Sequence, residues 1–228
     1  MVIGQRDLVD GERDHTATEM RCAFVECHGA QRTVALPTRT VPVLSQYCMG
    51  ESLIIVVTGL PGTGKTTFAR ALGKRYRVPV LCKDAIKEPL LDVLGAADAA
   101  ASRRLSDASF AALFAMAREL AGVRQSMVLE GNFRPGEHEP PLRAALASAA
   151  IAQVLCTADE LERLARLSKR DSDPARHPGH RDREQVNAFA NATGNTFLDL
   201  PGERFISSGR NGREVLAALD DWWTSRTL

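Results

Sequence analysis

No stretch of this chain reaches the roughly 20 consecutive apolar residues that a helix needs to cross a bilayer. The longest apolar runs are strand-sized. The first residues, MVIGQRDLVDGERD, are polar and hold no apolar signal-peptide core, so a cytoplasmic location with no membrane partner is expected. Charge of one sign is also missing. The 29 Lys and Arg residues face 28 Asp and Glu, leaving a net charge of +1 and no overall field for gripping nucleic acid. Cysteine is sparse and odd in number, with five at positions 22, 27, 48, 82 and 156. Cys82 and Cys156 each close an apolar run and read as buried free thiols. Cys22, Cys27 and His28 lack a second ligand pair at a recognised spacing, so no zinc site is expected there. No internal repeat is found.

What is present is material for one sizeable core: 228 residues, of which 44% are hydrophobic, suffice for one α/β domain with or without an appendage. Residues 1–48 show no sustained period of 3.6 or 2.0, and TVALPTRTVPVL carries two prolines. They read as a poorly packed extension, or as sequence upstream of the true start, since Met49 lies just before the first clear strand. From there the order is regular, and residues 49–228 form the expected domain. Apolar runs occur at LIIVVT (53–58), VPVLC (78–82), SMVLE (126–130), IAQVLC (151–156) and RFIS (204–207). Such near-continuous runs suit parallel strands covered on both faces. Helical stretches separate them, the clearest from Ser106 to Ala121, where Phe110, Leu113, Phe114, Ala117 and Leu120 recur at helical spacing. The alternation predicts an α/β fold, a doubly wound parallel sheet of about five strands flanked by helices. The polar segment KRDSDPARHPGHRDRE (169–184) is too hydrophilic for a core and reads as part of a mobile lid over about 163–184.

The segment GLPGTGKT fits G-x-x-x-x-G-K-[ST] at every fixed position, between a strand and the helical stretch TTFARALGKRY. Glycines let successive backbone N–H groups curl around a phosphate, and the following helix aims its positive N-terminal end at the same anion. Gly59, Pro61, Gly62, Thr63, Gly64, Lys65, Thr66 and Thr67 are therefore the nucleotide-binding candidates. Lys65 can bridge the outer phosphates and Thr66 can offer its hydroxyl to Mg²⁺. The expected ligands are ATP and Mg²⁺.

In an open α/β sheet, ligands lie outside the carboxyl ends of the strands. Asp84 stands there, expected on the strand beside that of the phosphate loop. It can cap a helix, or accept the proton of an attacking hydroxyl, or hold a metal-bound water. Glu130 ends the third run and reads either as an organiser of Mg²⁺ or as a solvated strand terminus. Asn132 and Arg134 follow on a loop facing the same crevice, as acceptor contacts or as a plain turn. Arg163, Arg166 and Arg170 share one helix face, either simply solvated or delivered over the transferring phosphate. Arg176, His177 and His180 follow in the lid.

With these residues in place, residues 53 to about 223 resemble the P-loop small-molecule kinases of the AAA-type predicted-kinase group, related to chloramphenicol phosphotransferase, zeta toxin and the polynucleotide kinase domain. The resemblance is carried by GLPGTGKTT, KDAIKE, VLEGNF and ERLARLSKR...RHPGH. It implies that Asp84 is the catalytic base and that the lid arginines touch the ATP phosphates, with Lys65, Arg166 and Arg170 as catalytic candidates and Arg163 as a nucleotide contact. Lys87, Asn132, Arg134 and His177 are the candidate acceptor contacts, and no role follows for the RHPGH motif itself. Many relatives carry Asp where this chain has Glu130, whose longer side chain shifts the metal–water geometry. The implied activity is transfer of the γ-phosphate of ATP to a hydroxyl of a small molecule such as a nucleoside, sugar or antibiotic, by a monomer or homodimer. A P-loop ATPase or nucleotide-binding switch is the alternative, although the single helix GREVLAALDDWW after the last strand leaves little room for a switch apparatus. A nucleic-acid 5′-end kinase is a further alternative, disfavoured by the near-neutral charge.

Overall fold

The computed structural model describes residues 51–171 and 196–227. Five strands, β1 (Ser52–Gly59), β2 (Val80–Cys82), β3 (Met127–Glu130), β4 (Ala149–Cys156) and β5 (Glu203–Ser207), form one sheet in the order β2-β3-β1-β4-β5, with every neighbouring pair parallel. The expected five-strand parallel architecture is therefore the one observed. Between and after the strands lie helices α1 (Lys65–Tyr76), α2 (Lys83–Leu94), α3 (Ala99–Gly122), α4 (Glu139–Ala145), α5 (Glu160–Asp171) and α6 (Gly212–Thr227). Among the described residues no helix is long and apolar enough to cross a membrane.

β1 is central, and all eight of its residues are buried. Strand alternation splits its side chains between two cores. Ile54 and Val56 face one that includes Phe110, Leu113 and Ala117 of α3 and Leu142 of α4. Leu53, Ile55 and Val57 face another built with Ala69 and Leu72 of α1 and Val215, Leu219 and Trp222 of α6. A sheet covered on both sides explains why its inner strands read as continuous apolar runs. The one polar side chain deep in β4, Gln153, is fully buried and satisfied: its Nε2 donates to the Leu200 carbonyl at 3.2 Å, and its Oε1 accepts from the Leu198 amide at 3.1 Å.

Two expectations change. The helix read as Ser106–Ala121 begins at Ala99, seven residues earlier, with the Asp98 carboxylate accepting from the Ala101 amide at 2.6 Å as its N-cap. Its first turns carry small and charged residues, AAASRR, ahead of the apolar stripe, and Ser102 there accepts from Lys87 of α2 at 2.9 Å. The second change matters more for the site. β2 pairs with β3, not with β1, so β3 rather than β2 is the strand adjoining the phosphate loop on this side. Asp84 is thus one strand further away than expected, and Glu130 is next door. The extension at 1–48, with its alternative reading as sequence upstream of the true start, falls outside the described residues, as does the lid beyond 171 with Arg176, His177 and His180.

Candidate active site

β1 ends at Gly59 and the chain turns through Leu60–Gly64, pinned where the Thr63 hydroxyl donates to the Leu60 carbonyl at 2.8 Å. Gly59, Gly62 and Gly64 all take positive φ, at 141°, 87° and 88°. Gly62 shows why no side chain is tolerated. A Cβ there would lie 2.9 Å from both the carbonyl oxygen and Cγ of Arg163, so α5 can lie on the loop only because this residue is glycine. Gly64 is the N-cap of α1 and offers no side-chain cap. The first-turn N–H groups of α1 therefore keep their capacity to bond an anion. Pro61 and Thr66 are half-buried, Thr63 is buried and Thr67 is exposed at the rim.

Lys65 is buried, and its Nζ lies 3.9 Å from Glu130 Oε1. Glu130 is only 2% exposed, which removes the reading of a solvated strand terminus. Its other oxygen, Oε2, accepts from the Cys82 thiol at 2.6 Å. β2 and β3 pair Cys82 directly with Glu130, so the two side chains emerge on the same face of the sheet. Burial, reinforced by the charge of Glu130 and the bond to it, pushes the Cys82 thiol up to about 12. Burial likewise lifts Cys156 to about 12, against the pull of Lys65. Both cysteines are buried and free, as expected.

Asp84 does not cap α2. The helix begins at Lys83 with Cys82 in the N-cap position, which places Asp84 in the first turn, where its negative charge complements the helix dipole. Its side chain is 44% exposed and pairs with Lys83 Nζ at 3.1 Å. One turn on, Lys87 is buried and donates to Ser102 Oγ of α3 at 2.9 Å. Asn132 is half-buried. Arg134 pairs with Asp107 at 2.8 Å and Glu137 at 2.7 Å, and its backbone closes a turn: the Arg134 amide donates to His138 Nδ1 at 2.9 Å, and the His138 amide returns to the Arg134 carbonyl at 3.1 Å. The plain-turn reading of NFRPGE thus describes the local geometry. His138, which nothing in the sequence singled out, is buried against Phe110, at 4.0 Å between ring centroids. Burial and then the charge of Arg134 lower its pKa to about 4.

On the opposite side, α5 leans on the loop. Arg163 is 5% exposed, and its Nη1 has no hydrogen-bond partner among the described residues. Arg166 donates from Nη1 to the Gly62 carbonyl at 3.3 Å and pairs through Nη2 with Glu162. Arg170 joins Gly62, Thr67, Phe68, Arg166 and Ser207 around an open cavity of about 510 Å³, within the usual size range of ligand sites. The one-face expectation for these arginines holds, and the merely solvated reading fails for Arg163. Phe68 and Ser207 were not anticipated; Ser207 closes the last strand, and a strand end was the available signal. Among the described residues no group of three or more His, Cys, Asp or Glu side chains forms a metal cluster.

A parallel sheet with its first strand in the middle, and a glycine-lined anion cradle where that strand meets its helix, defines a P-loop nucleotide-binding protein. More narrowly, the chain belongs to the AAA_33 family, described as an AAA domain, whose profile matches residues 54–193. Among solved structures, a protein described as a "putative kinase" from Chloroflexus aurantiacus J-10-fl is similar at 29% identity and a TM-score of 0.66, over 77% of this chain and 98% of that one. A sugar kinase from Janibacter sp. HTCC2649 shares the fold at 15% identity and a TM-score of 0.51, over 76% of this chain and 95% of that one. No curated protein matches the chain. The fold expected from the resemblance is therefore the fold found, and it is shared with kinases.

Proposed function

We propose that the chain is an ATP-dependent phosphotransferase that moves the γ-phosphate of ATP to a hydroxyl of a small molecule, with residues 49–228 as the kinase domain. One observation carries the reading. The phosphate loop is flanked by Lys65 beside the buried Glu130 on one side and by Arg163 and Arg166 against Gly62 on the other. Cations thus converge on one anion cradle from two elements. The ammonium of Lys65 neutralises the outer phosphates. The buried Arg163 guanidinium, whose Nη1 has no partner among the described residues, is a cation ready to meet an anion or polar group, which fits a phosphate ligand. Arg166 and Arg170 border the same cavity and balance charge as it spreads over the transferring group.

The donors present also fit a divalent ion. The Thr66 hydroxyl and the Glu130 carboxylate are hard oxygen ligands of the kind Mg²⁺ prefers, and the neighbouring Cys82 sulfur stays protonated and does not compete. Mg²⁺, when bound, supplies charge neutralisation on the phosphates. Asp84 is the proposed base. Its partly exposed carboxylate takes the acceptor's proton at Oδ, while Lys83 at 3.1 Å orients it. Lys87, Asn132 and Arg134 edge the acceptor side, and His177 lies outside the described residues.

The test is ADP release from Mg·ATP with and without a panel of nucleosides, sugars and aminocyclitol antibiotics, with the product mass measured. Release that depends on one compound, with a matching phosphorylated product, supports the kinase. Hydrolysis indifferent to every compound would assign the chain to the ATPases instead.

A further inference from the structure

The Cys82–Glu130 contact has no part in phosphate binding or in proton transfer, and neither core requires it. Both partners are nearly inaccessible, with Cys82 at 7% and Glu130 at 2% exposure. A buried carboxylate has four lone-pair directions to satisfy. One oxygen of Glu130 lies 3.9 Å from Lys65 Nζ, and the other meets the thiol at 2.6 Å. The pairing is set by strand register, because Cys82 and Glu130 are directly opposed at the last rung of the β2–β3 ladder. The thiol is therefore delivered by the register of the sheet. The Cys82 backbone also serves as the N-cap position of α2, so the same residue joins the third strand's acid to the helix that carries Asp84.

We propose that Cys82 is a positioning residue: its S–H donates to Glu130 Oε2, fixes the carboxylate rotation, and leaves Oε1 directed toward Lys65 and the phosphate crevice. The proposal rests on the reading of Glu130 as the acid that serves the divalent ion. A carboxylate held at one oxygen presents the other in a single orientation, whereas an untethered one must be ordered at the moment the ion arrives. Partners that orient a ligating side chain in this way typically contribute about 10–100-fold in metal affinity or activity.

The contact can be read before any ligand is added. The infrared S–H stretching band of the nucleotide-free protein should contain a component displaced to low frequency that disappears in Cys82→Ala; a single undisplaced band would overturn the proposal. Function gives the second readout. In Cys82→Ala, the Mn²⁺ concentration needed to saturate the protein in the presence of ADP, followed by electron paramagnetic resonance, should rise about 10-fold or more. The kcat should fall while the KM for ATP changes little. Cys82→Ser restores a donor and should recover most of both losses, which a merely structural role for the thiol would not produce. Unchanged Mn²⁺ binding and kcat in a folded Cys82→Ala would overturn the proposal. Glu130→Gln separates the two layers. If it abolishes ion binding while Cys82→Ala does not, the positioning role alone fails. If Glu130→Gln is also silent, the reading of Glu130 and the proposal fall together.

Discussion

At one end of the crevice, six consecutive residues from Gly59 to Gly64 make the anion cradle, and Lys65 follows at once on the first turn of α1. At the proposed acceptor end, the candidate side chains are held by contacts between distant parts of the chain: Lys87 meets Ser102 of α3, and Arg134 meets Asp107 of the same helix. The nucleotide end is a local motif whose conformation its own glycines dictate. The proposed acceptor end depends on how α2 and α3 pack on the sheet. A cradle of the first kind is transferable between proteins that act on different compounds, while the second kind changes with every helix shift. That difference explains why the donor of the phosphate can be argued from the chain and the acceptor resists it.

The comparison breaks most severely at Lys65. Lys65→Ala removes the buried cation beside Glu130, and phosphoryl transfer should fall by roughly 10³–10⁵-fold, the range for withdrawing a cation from the transferring phosphate. Normal ATP turnover by this variant would refute the nucleotide end as drawn. Asp84→Asn tests the other end. The change keeps size and a hydrogen bond but cannot take a proton. Transfer should drop roughly 10²–10⁴-fold with ATP affinity nearly unchanged, measured by a Mg²⁺ titration of acceptor-dependent ADP release. If extra Mg²⁺ restores the rate, Asp84 orders the ion rather than the proton. An unimpaired Asp84→Asn would shift the search for a base to Glu130.

A milder effect is expected where the cradle meets α5. Gly62→Ala forces a non-glycine residue to φ 87° and into the Arg163 carbonyl, so it should cost about 1–3 kcal/mol in folding and weaken ATP binding measurably by calorimetry. Unchanged stability would mean that α5 does not rest on the loop in solution. His138, packed among Phe110, Phe114 and Phe133, gives an effect that is felt only on acidification. The pKa of His138 is lowered to about 4, so between its ordinary value near 6.5 and that point the unfolded chain binds a proton that the folded protein does not. Stability should be full above pH 6.5 and decline on acidification toward pH 4, by at most about 1.4 kcal/mol per pH unit from this residue. Urea midpoints for wild type and His138→Asn, compared at pH 7 and pH 4.5, isolate that share. Equal pH slopes in both proteins would remove it.

What the chain disclosed before its structure follows the same division. The loop was legible because its function needs particular residues at fixed neighbouring positions, and the inner strands β1, β3 and β4 because burial on both faces leaves continuous apolar runs. Strand order was not legible, since the links between β1, β2 and β3 are compatible with β2 on either side of β3, and this alone misplaced Asp84 beside the loop. The capping alternative for Asp84 misses by two residues, because α2 starts at Lys83 directly from the strand end with Cys82 in the N-cap position. Glu130 could be identified as a strand-terminal acid, yet its burial and its bond to Cys82 depend on the β2–β3 register, a long-range fact. His138 was invisible for the same reason: its environment is three phenylalanines drawn from two separate segments.

The far end of α1 has a practical bearing on experiments. Tyr76 stacks on Trp223 with 4.2 Å between centroids, and Asp220 ties Arg75 and Tyr76 to α6. The chain has only two tryptophans, Trp222 and Trp223, and both sit on that helix. The 12 residues of α1 run from the phosphate loop to this stack, a span of about 18 Å. Intrinsic fluorescence is consequently a reporter of α6 coming away from the sheet, with the buried Trp222 as the more sensitive chromophore, and it is nearly blind to nucleotide entering the crevice. Ligand titrations on this protein call for an optical probe installed elsewhere, and the native tryptophans are best reserved for following denaturation.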